Sequence, residues 1–275
     1  MEGILFALLS AFFWATNDIF NKKSLLKGYT DRFVLWIRFP IGALLLTPLG
    51  FLFWDMSRTV FWSTFLWLPI EVVASLFFIK GIKYAPLSVG IPFFAFMPLF
   101  SALFGYLILG EGIDLLGSLG ILLILLGSFV ITGGSFHSFL RANMGSLYML
   151  LSAALFGFNV VIGKFVIVES NPYFFAWYYC LVMSFGLMPL VGISELFKKR
   201  NYRNPFNLPM GVFFALGMVA YTLALNLSNT SYVASIERLA IILDIIYGKL
   251  FFGEEIRKSF WGSVFMVLGA VLLSL

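Results

Sequence analysis

The chain has 275 residues, of which 61% are hydrophobic and 11% are charged, and its formal net charge is +5. A soluble domain carries about 25% charged residues, so a soluble globule of this size could not cover its surface, and the same apolar content excludes a disordered chain. The composition therefore predicts an integral membrane protein.

Ten apolar runs follow one another along the chain, and most of the connections between them are short. A helix that spans a bilayer needs about 20 mostly apolar residues, and none of the runs alternates polar and apolar residues as a strand does. We therefore predict an all-α integral membrane protein with ten transmembrane helices and no room for a soluble domain. The predicted spans are 3–21, 32–54, 61–82, 86–109, 113–132, 145–166, 172–196, 208–228, 231–252 and 258–275.

The first and sixth spans show that the sequence repeats itself. Both contain Leu-Leu-Ser-Ala, and Asn17 and Asn159 each lie seven residues after the serine of that motif. The two halves are predicted to form one integral unit. They comprise a first five-helix repeat (1–132), a connecting loop (133–144) and a second five-helix repeat (145–275).

Each half has an odd number of helices, so the second half must enter the membrane from the opposite side. This inverted repeat is typical of transporters that alternate access around a site near the middle of the bilayer. Thirteen Lys and Arg residues lie in the loops after odd-numbered spans, and two, Arg58 and Lys164, lie on the opposite side. Because cytoplasmic loops carry an excess of these residues, we predict a multi-pass protein of the cell (inner) membrane with both termini outside.

Two corresponding stretches, Ala85–Glu111 and Ser231–Glu255, reach Leu-Gly-Glu and Phe-Gly-Glu near their ends, and each precedes a helix with spaced glycines. With the five-plus-five repeat, these motifs resemble the EamA-type drug/metabolite transporter family over essentially the whole chain. The resemblance implies a ten-helix bundle with a central cavity lined by spans 1, 3, 4, 6, 8 and 9. It also implies transport of a small molecule, from a substrate range that includes amino acids and lipid-linked sugars, and it permits a homodimer through spans 5 and 10.

Charged residues inside the predicted spans are the best candidates for a binding site. A charge at the bilayer centre costs about 2.5–3.5 kcal/mol or more, so such residues face protein or water. Glu71 lies near the middle of the third span, and the ninth span carries Glu237, Arg238 and Asp244. Glu237 and Asp244 are seven residues apart and share a helix face, whereas Arg238 is rotated by about 100°. Glu71 is the best proton-carrier candidate, because a low dielectric favours a neutral carboxyl group; an internal ion pair between Glu71 and Arg238 is the structural alternative.

Four uncharged side chains and one arginine complete the polar candidates. Asn17 and Asn159 lie near the ends of equivalent helices, where an amide can bind a substrate or join two helices. Tyr221 and Asn226 on the eighth span are weaker candidates, because five residues place them only loosely on one face. Arg38 is expected to extend toward the interface beside the lysines of the first loop.

Proline and glycine mark the fourth, fifth and tenth spans. Pro92 and Pro98 predict a bend in the fourth span, whose freed carbonyl groups would meet a substrate or other side chains. Glycines seven residues apart form smooth strips on the fifth and tenth spans, where another helix can approach closely. These glycines are Gly120 and Gly127, and Gly262 and Gly269.

The sequence offers no support for a catalytic, metal or cofactor site. It has one cysteine and one histidine and no phosphate-binding loop for ATP. We therefore expect no enzyme activity, no cofactor, no metal and no nucleic-acid partner. The leading hypothesis is a secondary transporter of a small amphipathic metabolite, such as an amino acid or organic ion, with proton coupling as one means of driving it. A flippase for a lipid-linked substrate and a non-transporting membrane subunit are the alternatives.

Overall fold

The computed structural model is helical in nearly all of the residues it describes, which are 2–109, 115–131, 144–167, 170–227, 233 and 236–274. The predicted connecting loop 133–144 lies outside these residues except for Met144, and Glu111 also lies outside them. Within the described ranges the all-α prediction is confirmed.

The first half contains three long helices, a broken helix and a shorter helix. Helix α3 begins where the Ser57 hydroxyl accepts a hydrogen bond from the Val60 N–H at 3.1 Å, which caps its first turn. The predicted fourth span is divided into α4, a 3-10 helix and α5. The elements are α1 (Glu2–Leu26), α2 (Asp31–Leu52), α3 (Arg58–Tyr84), α4 (Leu87–Gly90), the 3-10 helix (Ile91–Phe96), α5 (Met97–Leu109) and α6 (Leu115–Ile131).

The second half follows a similar course. Asn171 caps the long helix that begins at Pro172, because its side-chain oxygen accepts hydrogen bonds from the N–H groups of Tyr173 and Phe174. That helix ends before Gly192, whose φ of 84° suits only glycine well, so it is shorter than the predicted span 172–196. The elements are α7 (Met144–Ile167), α8 (Pro172–Val191), α9 (Ile193–Leu196), α10 (Lys199–Tyr202), α11 (Asn207–Leu227), α12 (Leu239–Phe252) and α13 (Arg257–Ser274).

Within the part of the chain that the structure describes, five helices are long and apolar enough to cross a membrane, namely α1, α2, α3, α8 and α11. The described parts of the other predicted spans give shorter or less continuous apolar helices. The chain is therefore a multi-pass membrane protein in its composition and helix lengths, while the count of ten spans stays a prediction.

The long helices pack in pairs that join the two halves of the chain. Helix α1 packs on α11, α3 on α7, α2 on α8 and α6 on α13. In the numbering of the predicted spans, the first packs on the eighth and the third packs on the sixth. The first span corresponds to the sixth and the third to the eighth in the repeat, so each pair is the counterpart of the other. The polar residues of α1, α3, α7, α8 and α11 are thereby brought to the centre of one bundle.

The predicted glycine strips face each other within the chain. A Cβ atom on Gly127 would lie 2.4 Å from the carbonyl oxygen of Gly262, and one on Gly269 would lie 2.5 Å from that of Gly120. Backbone contact this close between α6 and α13 requires glycine at these positions. The strips are thus used in intramolecular packing and do not themselves argue for a homodimer, which stays a prediction.

Candidate substrate-binding cavity

A cavity of about 280 Å³ lies inside the bundle and is lined by both halves of the chain. Its wall is mostly aromatic and apolar, with a minority of polar groups, as is common for small-molecule sites. The polar side chains that line it are those of Asn17, Asp18, Arg38, Glu71, Ser75, Asn159, Tyr179, Tyr221, Glu237, Arg238 and Asp244.

The cavity gathers seven of the eight predicted polar site residues. The exception is Asn226, which is exposed and lies outside the cavity lining. Five residues along a helix turn the side chain by about 140°, so Asn226 points away when Tyr221 points inward. The seven that line the cavity are Asn17, Glu71, Asn159, Tyr221, Glu237, Arg238 and Asp244.

Glu71 joins three helices at one wall of the cavity. Its carboxylate accepts hydrogen bonds from the Asn159 side-chain amide on α7 and from the Tyr179 hydroxyl on α8. The Trp67 ring stacks on the Tyr179 ring with centroids 5.7 Å apart. These neutral donors satisfy Glu71, so a hydrogen-bonded cluster takes the place of the ion pair with Arg238 that was the structural alternative.

Glu237 occupies a second wall, where α12 approaches α1. Its Oε1 accepts from Ser10 Oγ at 3.0 Å and from Trp14 Nε1 at 3.2 Å, and its Oε2 lies 3.9 Å from Arg238 Nη2. The Arg238 guanidinium also lies 5.6 Å from the centroid of the Phe94 ring. Glu237 and Arg238 thus compensate each other's charge, and both immediately precede α12.

Arg38 lies in the cavity, and the expectation that it extends to the interface is wrong. It is 6% exposed, and its Nη1 donates to Asn17 Oδ1 at 3.3 Å. Its guanidinium lies 5.0 Å and 4.7 Å from the rings of Phe39 and Phe214. Aromatic faces and nearby carboxylates supply the stabilisation that water would have supplied.

Asp18 and Asp244 place a second pair of carboxyl groups in the cavity. Asp18 accepts from Asn21 Nδ2 at 3.1 Å and is attracted by Arg38, and the charges of Asp18 and Asp244 repel each other. Asp244 is 2% exposed, and its Oδ1 has no hydrogen-bond partner among the described residues. This site therefore holds a carboxyl oxygen that is buried and unsatisfied.

The sequence reasoning left Asp18 out of the site residues because it ended the first helix too early. The predicted span stops at residue 21, whereas α1 continues to Leu26 and places Asp18 about two turns inside the helix. Asn17 serves as helix–helix contact, since its Nδ2 donates to the Met210 carbonyl at 2.7 Å. Tyr179 carried no signal, because tyrosine is common in an aromatic-rich membrane protein.

The prolines of the fourth span act through the backbone. Pro92 lies in the 3-10 helix, and Pro98 is the second residue of α5, where a missing N–H is tolerated. Pro92 itself is buried outside the cavity lining. Instead, Ile91, Phe94 and Met97 from this segment line the cavity.

Comparisons with known proteins match one family model and several relatives. The model of the EamA-like transporter family matches residues 1–133 and 143–275. A protein named uncharacterized transporter from Clostridium kluyveri is 25% identical over 98% of this chain and 92% of its own length. Another of that name from Archaeoglobus fulgidus is 22% identical over 100% of this chain and 98% of its own. Protein LicB from Haemophilus influenzae is 26% identical over 60% of this chain and 59% of its own.

A solved crystal structure has the same fold. It superposes with a TM-score of 0.67 and covers 99% of this chain and 96% of its own. Its sequence identity is 12%, so the similarity concerns the fold alone.

Proposed function

This chain belongs to the EamA-like transporter family and is a membrane transporter, and we propose that it is a secondary transporter of a small amphipathic metabolite that works by alternating access. The proposed substrate is amino acid-like or an organic ion. The proposed cell location is the inner membrane, and the loop charges predict that both termini lie outside.

The observation that carries this proposal is the set of charged side chains around one cavity. Asp18, Arg38, Glu71, Glu237, Arg238 and Asp244 all line it, in a bundle whose long helices are otherwise apolar. Charges in a membrane interior are costly and mark substrate or ion pathways. The surrounding aromatic rings give the same cavity an apolar surface, which suits a substrate with both apolar and charged parts.

The helix pairs support alternating access. The first and eighth spans form one pair, and the sixth and third spans form the other. Two related halves require this arrangement, because the two pairs are made of corresponding spans. Under this proposal, the two five-helix repeats, 1–132 and 145–275, are inverted and rock around the shared cavity.

The carboxyl groups of the cavity support proton coupling. Four carboxyl groups and two guanidinium groups line one space, so the acidic groups outnumber the basic ones. A proton taken up by one carboxyl group reduces this imbalance and could be exchanged for substrate during the cycle. Glu71 and Asp244 are the proposed carriers, since each is buried at the cavity wall.

The test is a thermal-shift screen of the purified protein against amino acids, organic cations, nucleotide sugars and lipid phosphates. A ligand that binds the folded state raises the unfolding midpoint by mass action. We expect a small amphipathic metabolite to raise it, and we expect the shift to be lost in Glu237→Gln or Glu71→Gln but kept in Glu255→Gln, since Glu255 is exposed.

The same screen separates the alternatives. A shift with lipid phosphates alone, together with co-purified lipid found by mass spectrometry, would replace the metabolite transporter with a flippase. A hit that is then taken up into liposomes only under a pH gradient would establish proton coupling. Binding without uptake under any gradient would argue for a non-transporting membrane subunit.

A further inference from the structure

Lys22 is buried at one end of the bundle, where it bonds to the backbone instead of to a carboxylate. Its Nζ donates to the carbonyl oxygen of Ile82 at 2.7 Å and to that of Ala85. The last carbonyl groups of a helix have no partner within the helix, so a lysine there satisfies them and also matches the negative end of the helix dipole. Lys22 thus ties α1 to the end of α3.

Glu254 holds the next residues of the same connection from the opposite side. Its Oε1 accepts from the Leu87 N–H at 3.0 Å, and its Oε2 accepts from the Ser88 N–H at 2.8 Å. Gly248 makes room for this carboxylate, because a Cβ atom there would lie 2.6 Å from Glu254 Oε2. The Phe-Gly-Glu motif therefore places a carboxylate on the start of α4.

Lys22 and Glu254 hold residues 82–88 from two sides. Lys22 satisfies carbonyl groups at one end of this segment, Glu254 satisfies N–H groups at the other, and their opposite charges attract. Gly145 packs against the middle of the segment, since a Cβ atom there would lie 2.5 Å from the Ala85 nitrogen. The connection between α3 and α4 is fixed on three sides.

This end of the bundle is closed next to the cavity. On α1, Asn21 and Ser24 lie beyond the cavity residue Asp18, and both are fully buried. On α12, Ile245 and Gly248 lie beyond the cavity residue Asp244, and both are buried as well. The segment 82–88 therefore lies at the packed end of the cavity, on the side of the odd-numbered loops.

We propose that Lys22 and Glu254 form a latch that closes the cavity on the side of the odd-numbered loops. This inference rests on the proposed alternating-access function. The latched segment continues directly into α4 and the 3-10 helix, whose Ile91 and Phe94 line the cavity. Release of the latch frees polar backbone groups that water can satisfy, and it lets the bent helix move away from α1 and α12. Lys22 and Glu254 are positioning residues for transport and need not touch the substrate.

The experiment uses a reporter cysteine, which is simple here because Cys180 is the chain's single cysteine. The background is Cys180→Ala, and the reporter is Ser88→Cys, whose site is 1% exposed and whose hydroxyl has no hydrogen-bond partner among the described residues. A membrane-impermeant maleimide is applied to inverted vesicles and, separately, to intact cells. We expect Glu254→Gln to increase labelling about tenfold from the side of the odd-numbered loops and to leave labelling from the other side unchanged.

A matched control and further variants keep the test decisive. Glu255→Gln removes the neighbouring, exposed carboxylate and is expected to leave labelling at the level of the parent. Gly248→Ala, which displaces the Glu254 carboxylate, and Lys22→Met are expected to act as Glu254→Gln does. Thermal unfolding of each variant identifies those that fold, and labelling is compared only among them.

Unchanged labelling in the folded members of this set would overturn the latch. Equal labelling from both sides would also overturn it, because a closure at one end cannot expose the reporter to both. The labelling measurement needs no substrate, so it tests the latch independently of transport. If labelling changes as expected but the protein transports nothing, the latch is supported and the proposed function is rejected.

Discussion

The charged side chains of the latch and the polar side chains of the cavity differ in how fully they are hydrogen-bonded. At the latch, Lys22 and Glu254 each bond two backbone groups. In the cavity, Arg38 Nε, Asn159 Oδ1 and Asp244 Oδ1 are buried without a hydrogen-bond partner among the described residues. An unsatisfied buried polar group costs about 1–3 kcal/mol, so stability alone does not favour the cavity arrangement.

We interpret this difference as one between polar groups that hold the fold and polar groups that are available to a ligand. Within the cavity the division continues, since Glu71 has two donors whereas Asp244 has an oxygen without one. Removing a side chain that compensates a neighbour's charge or hydrogen bond should cost stability first, and removing one that leaves no neighbour unpaired should cost function first. The following predictions test that distinction.

The largest effect on stability is expected from Arg38→Met. This change leaves Asp18 and Glu71 without the guanidinium that attracts them, and breaking a buried charge pair costs about 3–5 kcal/mol. The measurement is thermal unfolding in detergent, with Arg32→Met as the control at an exposed position. Adding Asp18→Asn to Arg38→Met should recover part of the lost stability. A double variant whose loss of stability equals the sum of the two single losses would contradict the pairing.

Asp244→Asn is expected to separate stability from transport. The change removes one of two carboxyl groups that repel each other when both are ionised. Because Asp244 Oδ1 has no hydrogen-bond partner among the described residues, no hydrogen bond to that oxygen is lost, and the unfolding midpoint should stay unchanged or rise. Transport of the ligand found in the screen should fall by about tenfold or more, because an intramembrane carboxylate of this kind marks an ion or substrate path. A large drop in the midpoint with transport intact would reverse our interpretation of Asp244.

The accuracy of the sequence predictions follows the same division. Long apolar runs predicted the helical fold, and polar residues inside those runs predicted seven of the cavity residues, because both signals are local properties of the sequence. Arg38 was placed at the interface because its partners lie on other helices and cannot be identified from neighbouring residues. Lys22 was counted as a loop charge for the same reason, although it is 7% exposed in the structure.

Errors of helix geometry account for the rest. Asn226 was grouped with Tyr221 by proximity in sequence, but a rotation of about 140° puts the two side chains on different faces. The glycine strips were correctly placed on two helices, but the sequence could not tell whether the approaching helix would come from the same chain. For the glycine strips the missing information was which helix lies next to which.

The smallest effect is expected at Glu195, which belongs to neither the cavity lining nor the latch. Hydrogen bonds from Asn201 and Lys198 lower the pKa of Glu195 below its usual value of 4.5, and Thr30 donates a further bond at 3.3 Å. A carboxyl group with a lowered pKa stabilises the fold above its unfolded-state pKa, and this contribution is lost as the pH falls through the folded-state value.

Glu195→Gln should therefore lower the unfolding midpoint slightly at neutral pH, by about one degree or less, because exposed ion pairs contribute little. The difference from the parent should disappear below the usual pKa of 4.5 as the parent's carboxylate is protonated. Unfolding curves of the two proteins between pH 3 and pH 7 test this, and a difference that grows as the pH falls would contradict it. A small, pH-dependent effect here would also show that surface charges act through titration, whereas the charges of the cavity and the latch act through burial and partners.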